Sequence, residues 1–153
     1  MTDTEKNERY AQLLPQMRAL MEGESDEVAC MANFCSLLHE EMGFLWTGFY
    51  CVKGDELVLG PFQGPVACTR IKKGRGVCGT SWLKEETIVV SDVEQFPDHI
   101  ACSSLSRSEM VVPVWSQQQG SVAAVLDIDS RELGTFSDVD RRWMEQMVKL
   151  LPF

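Results

Sequence analysis

A chain of 153 residues, 44% of them hydrophobic, is long enough to bury a real core and short enough to be read as one domain over 1–153. A net charge of −9 and an isoelectric point near 4.7 argue against nucleic acid or an anionic membrane surface as a partner, because both demand a basic footprint. The opening residues, Met1-Thr2-Asp3-Thr4-Glu5-Lys6, lack the apolar core of a secretion signal, and no apolar run approaches the ~20 residues that span a bilayer, so a cytoplasmic protein is expected.

In chain order, Tyr10, Leu13, Leu14, Met17, Leu20 and Met21 recur at helical spacing and predict an amphipathic helix near residues 5–22. Pro15 inside it predicts a kink or a fresh start. Gly23 to Asp26 breaks the pattern, with Ser25 as the expected N-cap of a second helix. That helix presents Val28, Met31, Ala32, Cys35, Leu38 and Met42 on one face and stops at Gly43, which makes Cys30 and Cys35 packing residues. The N-terminal helices thus occupy about 5–42, and a region of sheet and pocket follows over about 44–130. Aromatic and β-branched residues at 44–52, a Lys53-Gly54-Asp55 turn and a return over 56–60 read as a hairpin, with Cys51 in the core. Further strands are expected near 66–71, 87–90, 110–116 and 121–128, with a brief helix near 80–84. Ser137 caps a last helix over about 137–151 whose first-turn acids, Asp138 and Asp140, suit the helix dipole. Hairpins imply a mainly antiparallel sheet packed on the terminal helices, an α+β layered domain.

The chemistry-bearing stretch is His99-Ile100-Ala101-Cys102-Ser103-Ser104-Leu105-Ser106-Arg107-Ser108-Glu109, a polar, serine-rich loop that runs into a strand. Loops on a rigid scaffold concentrate binding and catalysis, and exposure is the first requirement of a reactive thiol, which singles out Cys102. Cys68 and Cys78 are also expected at loops or strand ends rather than on apolar faces. In a reducing compartment such thiols serve a transient, catalytic disulfide more readily than a structural one. The six cysteines contain no Cys-x-x-Cys, so neither a zinc ribbon nor a thioredoxin-type motif is present, and irregular spacing disfavours a zinc site built from Cys68, Cys78, Cys102 and His99. Leu126-Asp127-Ile128-Asp129-Ser130 puts two acids on one face of a strand, where they suit a ligand's ammonium group or are solvated at the strand terminus. Gly74-x-Gly76-x-x-Gly79 matches the dinucleotide fingerprint literally, but the residues before it are polar and the helix after it is short, so the glycines are read as shaping a tight connection around Cys78.

Four motifs in order, Gly60-Pro61-Phe62-Gln63-Gly64-Pro65-x-Ala67-Cys68, Gly74-Arg75-Gly76-Val77-Cys78-Gly79-Thr80, His99-Ile100-Ala101-Cys102 with Ser108-Glu109, and Leu126-Asp127-Ile128-Asp129-Ser130, resemble the free methionine-(R)-sulfoxide reductases, stand-alone GAF-domain enzymes. The resemblance covers about 8–151. It departs at Met110, where isoleucine is more usual, and at the long turn over 117–119. It implies a six-stranded antiparallel sheet with helices on one face and a ligand pocket on the other. It also implies Cys102 as nucleophile, Cys68 as principal resolving cysteine and Cys78 as auxiliary. Trp46 would wall the subsite of the substrate's methyl group, and Glu109, Asp127 and Asp129 would hold its amino-acid end and polarise the sulfoxide. The implied partners are free methionine sulfoxide and thioredoxin, with reducing equivalents from thioredoxin, no bound cofactor and room for a homodimer. The competing reading is a GAF domain that binds a small molecule or senses redox state without catalysis. His99 receives no catalytic role.

Overall fold

The computed structural model describes residues 1–100 and 102–153; Ala101, part of the third motif, lies outside the described residues. Two helices open the chain, α1 (Asp3–Met21) and α2 (Glu27–Met42). A Thr2–Glu5 capping box starts α1, and the helix runs through Pro15 without a restart. The side-chain amide of Gln16 donates to the Gln12 carbonyl at 3.0 Å, an extra bond in the turn where proline leaves the Ala11 carbonyl without its helical donor. Asp26, not Ser25, caps α2: its carboxylate accepts from the Ala29 N–H at 2.8 Å, and an anion suits the positive end of a helix better than a hydroxyl does. The buried stripe of α2 centres on Phe34 and Leu38, which leaves Val28 at its margin and exposed. Gly43 closes the helix at φ +69°, a conformation that favours glycine.

The sheet follows: β1 (Trp46–Lys53), β2 (Glu56–Gln63), β3 (Arg70–Lys72), β4 (Ile88–Val90), β5 (Ser108–Trp115) and β6 (Val122–Ser130). Its order is β3-β2-β1-β6-β5-β4 and every neighbouring pair is antiparallel. Alternation sorts the side chains into two cores. Phe49, Met110, Val112, Leu126 and Ile128 face α1, α2 and α4 (Asp138–Met147), the last prolonged by a 3-10 turn, Val148–Leu150. Tyr50, Val111 and Val125 face the other way, against α3 (Gly76–Lys84), so this short helix covers the second face.

The two ends of the helical layer are tied together. Lys6, 6% exposed, places its ammonium 2.6 Å from Asp140, which also accepts from the Tyr10 hydroxyl and from the Ser137 N–H of the α4 capping box. No helix of the described residues is long and apolar enough to cross a membrane.

Candidate active site

The site is first a matter of register. β6 lies between β1 and β5, with Asp129 opposite both Trp46 and Glu109 and Asp127 opposite both Gly48 and Val111. Strand pairing therefore brings three carboxyl groups and one indole to one end of the second face. Both strands reach farther than their apolar runs suggest. β5 begins at Ser108 and β6 ends at Ser130, which puts Glu109 and Asp129 inside the ladder. Asp127 is 6% exposed and Asp129 half-buried, so the reading of these two acids as solvated groups at a strand terminus does not hold, and Glu109 is buried with them. Burial under α3 and the serine-rich loop is the reason.

Burial and mutual repulsion govern their chemistry. Loss of water pushes the Glu109 carboxyl up to about 8, aided by the charge of Asp129. Burial likewise raises Asp127 well above the usual range, with Glu109 adding to it, and raises Asp129, with Asp127 adding to it. The Ser106 hydroxyl donates to Asp129 Oδ1 at 2.9 Å and opposes part of that rise. Among the described residues, Asp127 Oδ1 is buried with no hydrogen-bond partner. His99 stands beside the cluster, its Nε2 3.5 Å from Glu109 Oε1, and burial pushes its pKa down so that the neutral imidazole is favoured.

Trp46 is held flat. Its indole N–H donates to the Pro65 carbonyl at 3.0 Å, and its ring stacks on Phe62 and Tyr50 at centroid distances of 5.2 and 5.9 Å. Gly48 makes this possible: a Cβ there would lie 2.4 Å from the Phe62 Cβ and 2.5 Å from the indole. Gly48→Ala is therefore expected to cost ~1–3 kcal/mol through overpacking, read as a lower Tm. An unchanged melting curve would show that the ring is free to move.

Cys68 and Cys102 are joined in a disulfide, Cα–Cα 5.6 Å, bridging the segment before β3 to the serine-rich loop. Both are half-buried. The Tyr50 hydroxyl donates to the Cys68 carbonyl at 2.9 Å, and Arg75 grips Asp98 through two hydrogen bonds of 2.6 and 3.0 Å. Ile100 lies against Gly76, where a Cβ would come within 3.0 Å of its side chain. Loop and α3 thus close over a cavity of about 40 Å³ lined by Trp46, Cys78, Cys102, Glu109, Asp127 and Asp129. Cys68 reaches that cavity only through its bond to Cys102.

Cys78 departs from expectation. It lies in the first turn of α3, 4% exposed and with a free thiol, rather than at a loop or strand end. The helix begins at Gly76 instead of near residue 80 because Gly74 and Gly79 permit close backbone approach. The Gly74 N–H donates to the Gly79 carbonyl at 2.9 Å, and a Cβ on Gly79 would lie 2.5 Å from the Lys72 carbonyl. These glycines pack a helix onto its own connection, and the preceding β3 is a three-residue antiparallel edge strand, which rules out a dinucleotide fold. Burial, with Asp127 next in effect, raises the Cys78 thiol well above its usual range.

Sequence reasoning gave His99 no catalytic role and did not single out Ser106 or Tyr50. His99 and Ser106 lie on a loop folded back over the sheet, and the Tyr50 hydroxyl reaches from β1 to the Cys68 carbonyl; spacing carries no signal of either contact.

The model of the GAF domain family matches residues 24–151. GAF domain-containing protein A of Dictyostelium discoideum is 53% identical over 95% of this chain and 92% of its own length. The free methionine-R-sulfoxide reductase of Escherichia coli is 45% identical over 95% of this chain and 88% of its own. A crystal structure of the free methionine-R-sulfoxide reductase of Neisseria meningitidis, in complex with its substrate, superposes with a TM-score of 0.90 at 51% identity, covering 94% of this chain and 86% of that one.

Proposed function

Because the chain belongs to the GAF-domain family, among the free methionine-R-sulfoxide reductases, we propose that it reduces free L-methionine-(R)-sulfoxide to methionine by thiol chemistry at the cavity just described. The observation that carries this reading is the Cys68–Cys102 disulfide at the mouth of a cavity floored by three buried carboxyl groups. The Cys102 thiolate attacks the sulfoxide sulfur while the sulfoxide oxygen takes up a proton. In the intermediate so formed, the hydroxyl passes from the substrate sulfur to the Cys102 sulfur while the bond between the two sulfurs breaks, so that methionine leaves and Cys102 is left as a sulfenic acid. The Cys68 thiol attacks that sulfur, water departs, and the disulfide forms. Thioredoxin returns two electrons by thiol exchange, so no bound cofactor is needed.

The acids divide the work according to their surroundings. Glu109, pushed up to about 8, still holds its proton at neutral pH and is suited to donate it to the departing oxygen. Asp129, which accepts a hydrogen bond from Ser106, is the member of the cluster best equipped to ionise and to meet the substrate's ammonium group. Trp46 offers its face to the methyl group. A peptide-linked methionine sulfoxide has an uncharged amide in place of the ammonium and would leave these carboxyls unpaired, so the free amino acid is the expected substrate.

The test is NADPH oxidation with thioredoxin, thioredoxin reductase and each epimer of free methionine sulfoxide supplied separately. Turnover of the R epimer, with none of the S epimer or of a blocked peptide, is expected. Binding of the R epimer without NADPH oxidation would overturn this reading in favour of a binding or sensing GAF domain.

A further inference from the structure

One grouping in the cavity joins two of the carboxyls used in sulfoxide reduction to a thiol, Cys78, that the proposed steps do not use. The Cys78 Sγ and one oxygen each of Glu109 and Asp127 all lie within 4.8 Å of one another, and all three residues are buried. They come from three separate elements, α3, β5 and β6, which converge on one point. The second observation is the buried Asp127 Oδ1, which finds no hydrogen-bond partner among the described residues. An oxygen so placed is costly to leave unmatched.

We propose that the cavity floor is also a binding site for a zinc-class divalent cation, held by Cys78, Glu109 and Asp127, with the fourth position left to water or to the neighbouring His99. A mixed sulfur and oxygen set selects zinc or cadmium, because magnesium and calcium take six or more oxygen ligands. Tetrahedral zinc keeps its ligand atoms roughly 3.3–3.8 Å apart, given bonds of ~2.0–2.3 Å. The three donors therefore have at most about 1.5 Å to draw in, and the cavity of about 40 Å³ leaves them space to do so. Cys68 and Cys102 are not ligands, so the site is available in the disulfide form of the chain. This site differs in kind from a cluster of Cys68, Cys78, Cys102 and His99, which would need the reduced pair. Resting on the proposed reductase reading, the cation takes the carboxyls the substrate needs and acts as a competitive inhibitor that a chelator removes.

The test uses the oxidised, full-length chain, in which Cys68 and Cys102 are tied up. Zinc is titrated against a chromophoric chelator, and cadmium is followed by the ultraviolet thiolate-to-cadmium charge-transfer band. One equivalent bound at micromolar concentration or tighter is expected, together with the cadmium band and no displacement by excess magnesium. Cys78→Ala should remove the band and weaken zinc binding on the order of 100-fold. Asp127→Asn should weaken zinc while leaving the thiol in place, and it decides the matter if Cys78→Ala fails to fold. Cys35→Ala, at a buried thiol on the opposite face, should change nothing. Failure of the oxidised chain to bind zinc, or binding untouched by both site variants, overturns the proposal. Neither readout uses sulfoxide turnover, so the metal site and the reductase reading stand or fall separately.

Discussion

Cys102→Ser is expected to lower reduction of free methionine-(R)-sulfoxide by at least ~10³-fold, because a serine hydroxyl near neutral pH offers no nucleophile to replace the thiolate. Among the described residues, Cys78 is the only other thiol lining the cavity, and it is a poor substitute: it is 4% exposed, and burial beside Asp127 keeps its proton on. The companion variant separates attack from recycling. Cys68→Ser should release one methionine per chain in a single turnover and then stall, with thioredoxin-dependent cycling down by ~10-fold or more, since the sulfenic acid has lost the partner now bonded to it. Quenched single-turnover assays read both. Wild-type turnover by Cys102→Ser would remove this residue from the chemistry, and wild-type cycling by Cys68→Ser would make Cys78 the resolving thiol.

The second large effect is on stability and its dependence on pH. Glu109 titrates near its ordinary 4.5 when unfolded and at about 8 when folded, so across that window the folded chain binds more protons than the unfolded one. Stability must then fall as pH rises from below 4.5 to above 8. Each unit of displacement is worth ~1.4 kcal/mol, so the full span is on the order of 5 kcal/mol, and water entering the site lowers it toward ~2 kcal/mol. Glu109→Gln carries no such load. It should match or trail the parent at pH 5 and exceed it at pH 9, by roughly 4–8 °C in Tm for a chain of this size. Asp127→Asn should behave alike, since its carboxyl is raised by the same causes. Both variants gain stability at high pH while losing substrate use. Denaturation curves for parent and variant taken from pH 5 to 9 check this, and a constant gap would mean that these carboxyls are already ionised in the folded chain.

How much of this was legible in the sequence differs from residue to residue. That Asp127 and Asp129 share a face follows from the period of a strand alone, and the hairpin over 44–60 and the terminal helices follow from apolar spacing. Burial of the acids does not follow, because it depends on the β5 register that sets Glu109 opposite Asp129 and on a loop folding back over both. Cys78 was misplaced because glycine ordinarily weakens a helix, whereas Gly79 here meets a backbone carbonyl too closely for any other residue. The motifs that resemble a reductase family carried what local patterns lacked, namely which distant segments meet.

The hydrogen-bonded knot between Lys6, Tyr10 and Asp140 bears on where this domain begins. The family pattern covers 24–151, and a fragment trimmed to that span would discard α1, with its buried Leu13 and Met17. It would also strip Asp140 of its Lys6 and Tyr10 partners and bare the apolar side of α4 that packs on α1. The minimal folding unit therefore starts some twenty residues ahead of the recognisable pattern, and the opening helix is the cornerstone on which the closing one rests.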